Sequence, residues 1–148
     1  MAAREKEKVI LLVEDDPADV KLTQVSLGKS RIANELVVAS DGVEALDYLF
    51  GTGPYHGRDP RELPAVVLLD LKMPKMDGLE VLKRVRANPL TKVLPVVIMT
   101  SSKEERDIVS SYESGCNAYV RKPVDFGQFA AAIGQLGLFW LVLNETAP

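Results

Sequence analysis

Four short apolar runs, each ending at polar or charged residues, constrain this chain more than any other feature. The runs cover residues 9–13, 66–69, 96–99 and 118–120, and they are followed by Glu14 and Asp15, by Asp70, by Thr100, and by Arg121 and Lys122. Short continuous apolar runs are typical of strands buried on both faces of a parallel sheet. Ligands bind at the carboxyl ends of the strands in open α/β sheets. The pattern therefore predicts one site containing three acids, a hydroxyl group and a lysine.

Helical patterns alternate with the predicted strands along the whole chain. Asp16, which precedes a proline, is typical of a helix start, and Leu22 and Val25 follow at helical spacing until Gly28, where we expect that helix to end. A further strand is predicted at 36–39, which makes five in all. Such alternation predicts βαβ units with right-handed crossovers. We therefore expect an α/β fold, a flavodoxin-like doubly wound sheet of five parallel strands in the order 2-1-3-4-5 with helices on both faces.

Composition limits the classes of protein to consider. The 148 residues are enough for one domain, and a net charge of −3 gives no sign of nucleic-acid binding. The single cysteine, Cys116, excludes an internal disulfide and fits a reducing compartment. The charged residues 1–8 do not form a secretory signal, and the apolar stretch 133–143 is too short to cross a membrane. We expect a cytoplasmic protein with tails at 1–8 and 144–148 and one domain at 9–143.

Carboxylates at neighbouring strand ends point to a metal site. Glu14, Asp15 and Asp70 would repel one another unless a cation lay among them, and hard oxygen ligands favour Mg²⁺. Alternatively, Glu14 and Asp15 belong with Asp16 to a solvated turn, in which Asp16 caps the helix. Asp70 favours the metal site because it ends a fully apolar strand at the same edge. Lys122 would balance the acidic charge and leave room for an anion.

Four motifs in order resemble the receiver domain of two-component response regulators. They are VEDDP at 13–17, LDLKMPKMDG at 69–78, TS at 100–101 and KP at 122–123. The resemblance extends from residue 9 to about residue 143. Each motif alone is modest, but their order and spacing together are highly specific.

The resemblance implies a role for each acid at the site. Asp70 would be the phosphoacceptor, which takes a phosphoryl group from the phosphohistidine of a partner kinase. Asp15 would bind Mg²⁺ directly, Glu14 would bind it through water, and the backbone carbonyl of Lys72 would be a further ligand. Lys72 is also a basic group next to the phosphoryl position, and we hypothesise that it alters the lifetime of the phosphoryl group.

The resemblance also implies how the phosphoryl group is held and sensed. Lys122 would pair with the phosphate, Thr100 would hydrogen-bond it, and Tyr119 would change position as Thr100 moves. The protein would catalyse only its own phosphotransfer and autodephosphorylation. We expect no output domain after it, so the signal would pass by conformational change and contact with a downstream target or a phosphotransfer protein. The alternative is a binding-only pseudo-receiver that acts as a constitutive interaction module.

The last predicted helix, from about residue 125 to residue 143, is apolar on more than one face. Such a surface indicates an interface. We therefore predict a homodimer formed through Phe139, Trp140, Leu141, Val142 and Leu143. This tail and the Gly- and Pro-rich loop at 51–64 look similar to single-domain regulators that are paired with bacterial phytochromes. The partner would then be a sensor histidine kinase such as a bacteriophytochrome, with no nucleic acid or membrane involved.

Overall fold

The structure, a computed structural model, describes residues 9–29, 35–101, 105–122, 127–128 and 131–132. The described strands are β1 (Ile10–Val13), β2 (Leu36–Ala39), β3 (Val66–Asp70), β4 (Val96–Thr100) and β5 (Ala118–Arg121). The described helices are α1 (Pro17–Lys29), α2 (Gly42–Phe50), α3 (Gly78–Ala87) and α4 (Glu105–Glu113), with a short 3₁₀ helix at Gly53–Tyr55. Strands and helices thus alternate as the sequence predicts.

All strand pairs are parallel, and the order in the sheet is β2-β1-β3-β4-β5. Val13 lies beside Leu69, so β1 and β3 end at the same level, and Thr100 lies beside Arg121 at the ends of β4 and β5. The predicted fold class and strand order are confirmed. Because β1 lies between β2 and β3, the strand order reverses next to Glu14 and Asp70, where a crevice is expected in such sheets.

The two faces of the sheet pack against different helices. Leu11 and Leu69 point to one side and pack with Leu82 of α3, in a cluster that also contains the inner residues of α2. Leu12 points to the other side and packs in a cluster with Leu27 of α1. Burial of each such side chain contributes about 1.5–3 kcal/mol to folding. This two-sided burial explains why the strands are continuously apolar.

Helix α1 begins as predicted but faces the core differently. Asp16 Oδ1 accepts a hydrogen bond from the amide of Ala18 at 2.9 Å, so Asp16 does cap the helix. Leu22 and Val25, however, are 52% and 43% exposed, and the inward face instead carries Leu27 with other buried residues. The helix also runs one residue past Gly28. The apolar spacing identified a helix, but it did not identify which side of that helix meets the sheet.

The Gly- and Pro-rich loop between α2 and β3 packs on α2 through aromatic contacts. Gly51 ends α2 in the left-handed conformation, with φ of 66°. The Tyr55 ring lies edge-on to Tyr48, with ring centroids 5.2 Å apart, and the Arg58 guanidinium lies 3.9 Å from the centre of the Tyr48 ring. Side chains of the loop thus pack this long connection against α2. The loop leads to the end of the sheet opposite the crevice.

Several predictions from sequence concern residues outside those described. The proposed dimer interface, Phe139, Trp140, Leu141, Val142 and Leu143, is among them, as are both tails and most of the last predicted helix. Within the described part of the chain, no helix is long and apolar enough to cross a membrane. Cys116 is buried there as a free thiol, and burial raises its pKa to about 11.

Candidate functional site at the carboxyl edge of the sheet

An open, polar crevice of about 230 Å³ lies where β1, β3, β4 and β5 end. Its lining is formed by residues from every one of these strand ends and from α1, namely Glu14, Asp15, Asp16, Asp19, Asp70, Lys72, Thr100, Ser101 and Lys122. The structure therefore brings together the acids, the hydroxyl group and the lysine that the sequence assigns to one edge.

Backbone contacts fix the positions of these strand ends. The amide of Glu14 donates to the carbonyl of Ala39 at 3.0 Å, and the amide of Lys122 donates to the carbonyl of Thr100 at 3.0 Å. At Gly78, the first residue of α3, a Cβ atom would lie 2.2 Å from the carbonyl oxygen of Asp70. Glycine is therefore needed there, because α3 begins almost in contact with the end of β3.

Lys122 is the counter-ion of the buried acids. Its Nζ lies 2.6 Å from Glu14 Oε1 and 3.3 Å from Asp70 Oδ1. Glu14 is 2% exposed and Asp70 is 4% exposed, so each would be costly to bury without a partner. The contact between Lys122 Nζ and Glu14 Oε1 is an ion pair between two largely buried groups. One ammonium group thus holds two carboxylates at adjacent strand ends.

The crowded surroundings change the proton affinity of Asp70 and of Lys122. Burial and the neighbouring Glu14 raise the pKa of Asp70, Lys122 opposes both effects, and the resulting pKa is about 6. Burial alone would lower the pKa of Lys122, but its contacts with Glu14 and Asp19 outweigh that effect, so its pKa lies above the usual value. Lys122 is therefore charged at neutral pH, and Asp70 keeps a negative charge at some energetic cost.

Glu14, Asp15 and Asp70 also fit a divalent cation. Each offers a carboxylate oxygen, and these oxygens all lie within 4.8 Å of one another. Octahedral Mg²⁺ holds its oxygen ligands at about 2.0–2.1 Å, which places opposite ligands about 4 Å apart, so small side-chain movements would close the site. Asp15 is exposed, which leaves one side open to water ligands. The donor set, three hard oxygens and no nitrogen or sulfur, is the set that Mg²⁺ prefers.

Of the remaining residues predicted from sequence, Thr100 and Lys72 line the crevice and Tyr119 does not. Thr100 is buried at the end of β4 and lines the crevice. Tyr119 lies half-buried on β5 and packs against the core cluster on the α3 side of the sheet rather than lining the crevice. Lys72 lines the crevice with an exposed side chain, whose Nζ is 3.8 Å from Asp107 Oδ2 on α4.

A family model, the response regulator receiver domain, matches residues 10–134. The chain belongs to the response regulator receiver family. The match covers most of the predicted domain at 9–143, and the final residues of that domain remain a prediction.

This receiver is similar to a cyanobacterial response regulator over most of its length. It is 42% identical over 134 residues to the response regulator Rcp1 of Synechocystis, covering 90% of this chain and 89% of Rcp1. A solved Mn²⁺-bound form of Rcp1 matches with a TM-score of 0.75 and 41% identity, covering 95% of this chain and 97% of that one.

Two further solved structures are similar to this receiver. The bacteriophytochrome response regulator AtBRR matches with a TM-score of 0.83 and 59% identity, covering 93% of this chain and 98% of its own. The phosphorylated cyanobacterial phytochrome response regulator RcpA matches with a TM-score of 0.75 and 38% identity, covering 95% and 96% respectively. This receiver is therefore a two-component response regulator close to those of phytochromes.

Two acids of this receiver stand near the site and were not predicted from sequence. Asp19, in the first turn of α1, lies with its Oδ2 3.0 Å from Lys122 Nζ. Asp107 contacts Lys72 from α4. For Asp19 a signal was available, since an acid one turn into a helix that starts at the site edge returns to that edge. Asp107 carried no such signal, because its position depends on how α4 packs.

Proposed function

We propose that this receiver accepts a phosphoryl group on Asp70 from a histidine kinase, in a Mg²⁺-dependent reaction, and signals by conformational change and protein contact. One observation carries the proposal. The carboxylate of Asp70 lies between two further acids that fit a cation and a lysine that fits an anion. A phosphoryl group needs both kinds of neighbour, because its oxygens are negative and its acceptor is also negative.

The chemistry follows from the positions of these side chains. An Asp70 oxygen attacks the phosphorus of the donor phosphohistidine in line, so that an O–P bond forms as the N–P bond breaks and the imidazole leaves. Glu14, Asp15 and Asp70, with the carbonyl of Lys72, would hold Mg²⁺. Bound there, the ion neutralises charge on the transferring oxygens. Lys122 and Thr100 bind the phosphoryl oxygens on the other side.

Signalling follows from the charge that is added. The phosphoryl group carries about two negative charges and three acceptor oxygens. Because the Asp70 carboxylate loses its own charge when the O–P bond forms, the crevice gains about one net negative charge. Thr100 and Lys122 are drawn toward the phosphoryl oxygens, and the space that Thr100 leaves is filled by Tyr119, which shifts β4, α4 and β5. The acyl phosphate is then hydrolysed at the same site, so the protein turns over no substrate other than its own phosphoryl group.

The similar proteins support the partners in this proposal. Rcp1 has a Mn²⁺-bound form, and RcpA has a phosphorylated form. The likeness to the bacteriophytochrome response regulator AtBRR favours a bacteriophytochrome as the kinase. We also propose a cytoplasmic homodimer that uses residues 139–143 and passes the signal to a downstream protein or a phosphotransfer protein. Sedimentation of Phe139→Glu tests the dimer, since an unchanged oligomer would contradict it.

Phosphorylation by acetyl phosphate, read by intact mass, tests the central step. We expect the wild-type protein to gain one phosphoryl group with Mg²⁺ and none with EDTA, and Asp70→Asn to gain none under either condition. Thr52→Val is a matched control, because Thr52 lies on the loop away from the crevice and should label like the wild type. No gain by the wild-type protein under any condition would overturn the proposal and favour a binding-only module.

A further inference from the structure

We propose that Asp19 is a positioning residue that keeps the ammonium group of Lys122 at the phosphoryl site throughout the phosphorylation cycle. The inference rests on the proposed function and deepens it, because it assigns a task to an acid outside the family motifs described above. Asp19 would touch neither the phosphoryl group nor the metal, and it would act through Lys122.

The contact between the two side chains is short and partly shielded from water. Asp19 Oδ2 lies 3.0 Å from Lys122 Nζ, in a geometry that satisfies a hydrogen bond as well as an ion pair. The Lys122 side chain is 13% exposed and that of Asp19 is 28% exposed. Charge-assisted hydrogen bonds with this degree of shielding are stronger than those at a free surface.

A general effect at the start of α1 does not account for this contact. Acids in a first helical turn are stabilising wherever they point, because they face the positive end of the helix dipole. Asp16 already caps α1 through the amide of Ala18. Asp19 instead extends across the crevice to β5, more than 100 residues away along the chain. Such a contact is specific to the pair.

The separate role of Asp19 becomes clear from the other partners of Lys122. Glu14 and Asp70 both contact its ammonium group, and both belong to the cluster that fits a cation. Among the described residues, that cluster leaves Asp19 outside. Of the three acids that contact Lys122, Asp19 is therefore the one that would not be a ligand of a cation bound at the cluster.

Electrostatics makes such an anchor necessary. A divalent ion about 5 Å from an ammonium group repels it by several kcal/mol at an effective dielectric constant of about 20. A lysine side chain also regains rotamer freedom when it leaves a site. Without Asp19, Lys122 would turn outward as the cation enters, and it would be absent when negative charge develops on the transferring oxygens. With Asp19, it remains within reach of them.

A comparison of three variants tests the inference by the rate of phosphorylation at saturating acetyl phosphate and Mg²⁺. We expect Asp19→Asn to lower the maximal rate about fivefold or more, and Asp19→Glu, which keeps the charge, to recover most of it. Glu80→Gln removes a negative charge from the same position in the first turn of another helix, α3, where Glu80 pairs with the exposed Arg84 and lies outside the crevice lining. We expect it to stay within twofold of the wild type, so an equal loss in Glu80→Gln and Asp19→Asn would overturn the inference.

A double-mutant cycle separates positioning from stability. In a Lys122→Gln background, Asp19→Asn should produce no further loss of rate, because the group it positions is gone. Full, additive loss in that background would contradict the inference. Thermal unfolding of each variant accompanies the rates, and a purely structural role would lower the melting temperature without producing this dependence on Lys122.

A measurement on the wild-type protein decides the matter even if Asp19→Asn does not fold. In protein labelled with ¹⁵N-lysine, the shielded Lys122 ammonium should give a slowly exchanging signal that persists when Mg²⁺ is added. Loss of that signal on addition of Mg²⁺ would overturn the inference, whatever the variants do. If the wild-type protein takes up no phosphoryl group, the proposed function fails. If it does, but Asp19→Asn behaves like Glu80→Gln, only the role of Asp19 fails.

Discussion

At the scale of single residues, burial of the site disfavours the negative charge that Asp70 carries there. Asp70 is 4% exposed and lies beside another buried acid, and Lys122 offsets only part of the resulting cost. Binding of a cation or a proton would relieve the electrostatic cost of the buried, ionised Asp70. This cost has a measurable effect on the free energy of unfolding.

We expect Asp70→Asn to raise the free energy of unfolding by about 2–3 kcal/mol at pH 7.5 in EDTA. The pKa of Asp70 is about 6 in the folded protein and about 3.9 in an unfolded chain. The folded state therefore binds more protons between these values, and its stability falls as the pH rises through 6. The advantage of the variant should shrink below pH 6 and vanish near pH 4.

Urea unfolding at pH 4.5 and 7.5 checks this expectation. Addition of Mg²⁺ is the internal control, since it should stabilise the wild type by mass action and reverse the order of the two proteins at pH 7.5. A difference that does not change with pH would show that Asp70 is not strained in the folded state.

Lys72 provides a second test at the residue scale. Its exposed ammonium group lines the crevice and pairs with Asp107 at 3.8 Å, and from there we expect it to limit the approach of water to the phosphoryl group. We expect Lys72→Asn to hydrolyse its acyl phosphate about threefold faster than the wild type. Lys75→Asn is the matched control, because Lys75 lies in the same loop as Lys72 but pairs with Asp41 at the start of α2, and asparagine tolerates its positive φ of 67°. Equal decay of all three phosphoproteins would remove the proposed role of Lys72.

At this scale the sequence identified the residues that follow strands but missed those carried by helices. Glu14 and Asp70 were found because a strand end fixes where the next side chain lies. Asp107 was missed because a helix places its residues around a full circle, and only packing decides which side faces the crevice. Asp19 was missed although its place in the first turn of α1, next to the site edge, was a usable signal. The site residues at the strand ends were therefore predicted from the sequence, whereas those carried by helices were not.

At the scale of elements, helix α1 connects the crevice to the outer surface. It starts at the carboxyl edge of the sheet, and it presents Leu22 and Val25 to solvent. Apolar spacing predicted the helix correctly but gave no guide to its inward face, since Leu22 and Val25 are exposed and the polar Thr23 is buried. Because α1 begins at the crevice, we expect this exposed pair to contact the kinase domain that delivers a phosphohistidine to Asp70.

We expect Leu22→Glu to slow phosphotransfer from the partner histidine kinase at least fivefold, because it places a charge on an apolar contact surface. Phosphorylation by acetyl phosphate, which needs no protein contact, should be unchanged. Val93→Glu is the control, since Val93 is 79% exposed and precedes β4 at the other end of the sheet. Equal rates of kinase-dependent transfer in the wild type and in Leu22→Glu would exclude α1 from the contact surface.

At the scale of the whole molecule, the two edges of the sheet serve different purposes. The carboxyl edge collects acids at a cost in stability, whereas the opposite edge is held together by Arg86 at the end of α3. Its guanidinium donates to the carbonyls of Gly115 at 2.8 Å and Leu94 at 2.7 Å, and to Asn117 Oδ1 at 2.8 Å. One side chain thus joins α3 to the loops that precede β4 and β5.

Arg86→Ala should therefore destabilise the fold without altering the chemistry of the crevice. Loss of the guanidinium leaves partly buried carbonyls without their donor, at about 1–3 kcal/mol each where water cannot replace it. We expect a total loss of about 2–4 kcal/mol, a large share of the stability of a domain of this size. Arg84→Ala is the control two residues earlier, because Arg84 makes an exposed ion pair with Glu80 worth less than about 1 kcal/mol.

Unfolding in urea and Mg²⁺ titration of the same samples measure the two effects separately. The folded fraction of Arg86→Ala should bind Mg²⁺ as the wild type does, because the strands between the two edges are continuously buried and keep their register. Weaker Mg²⁺ binding by folded Arg86→Ala would instead mean that the edges are coupled through the sheet. In that case the stability of one end would set the affinity of the other, and the division between a stabilising edge and a reactive edge would not hold.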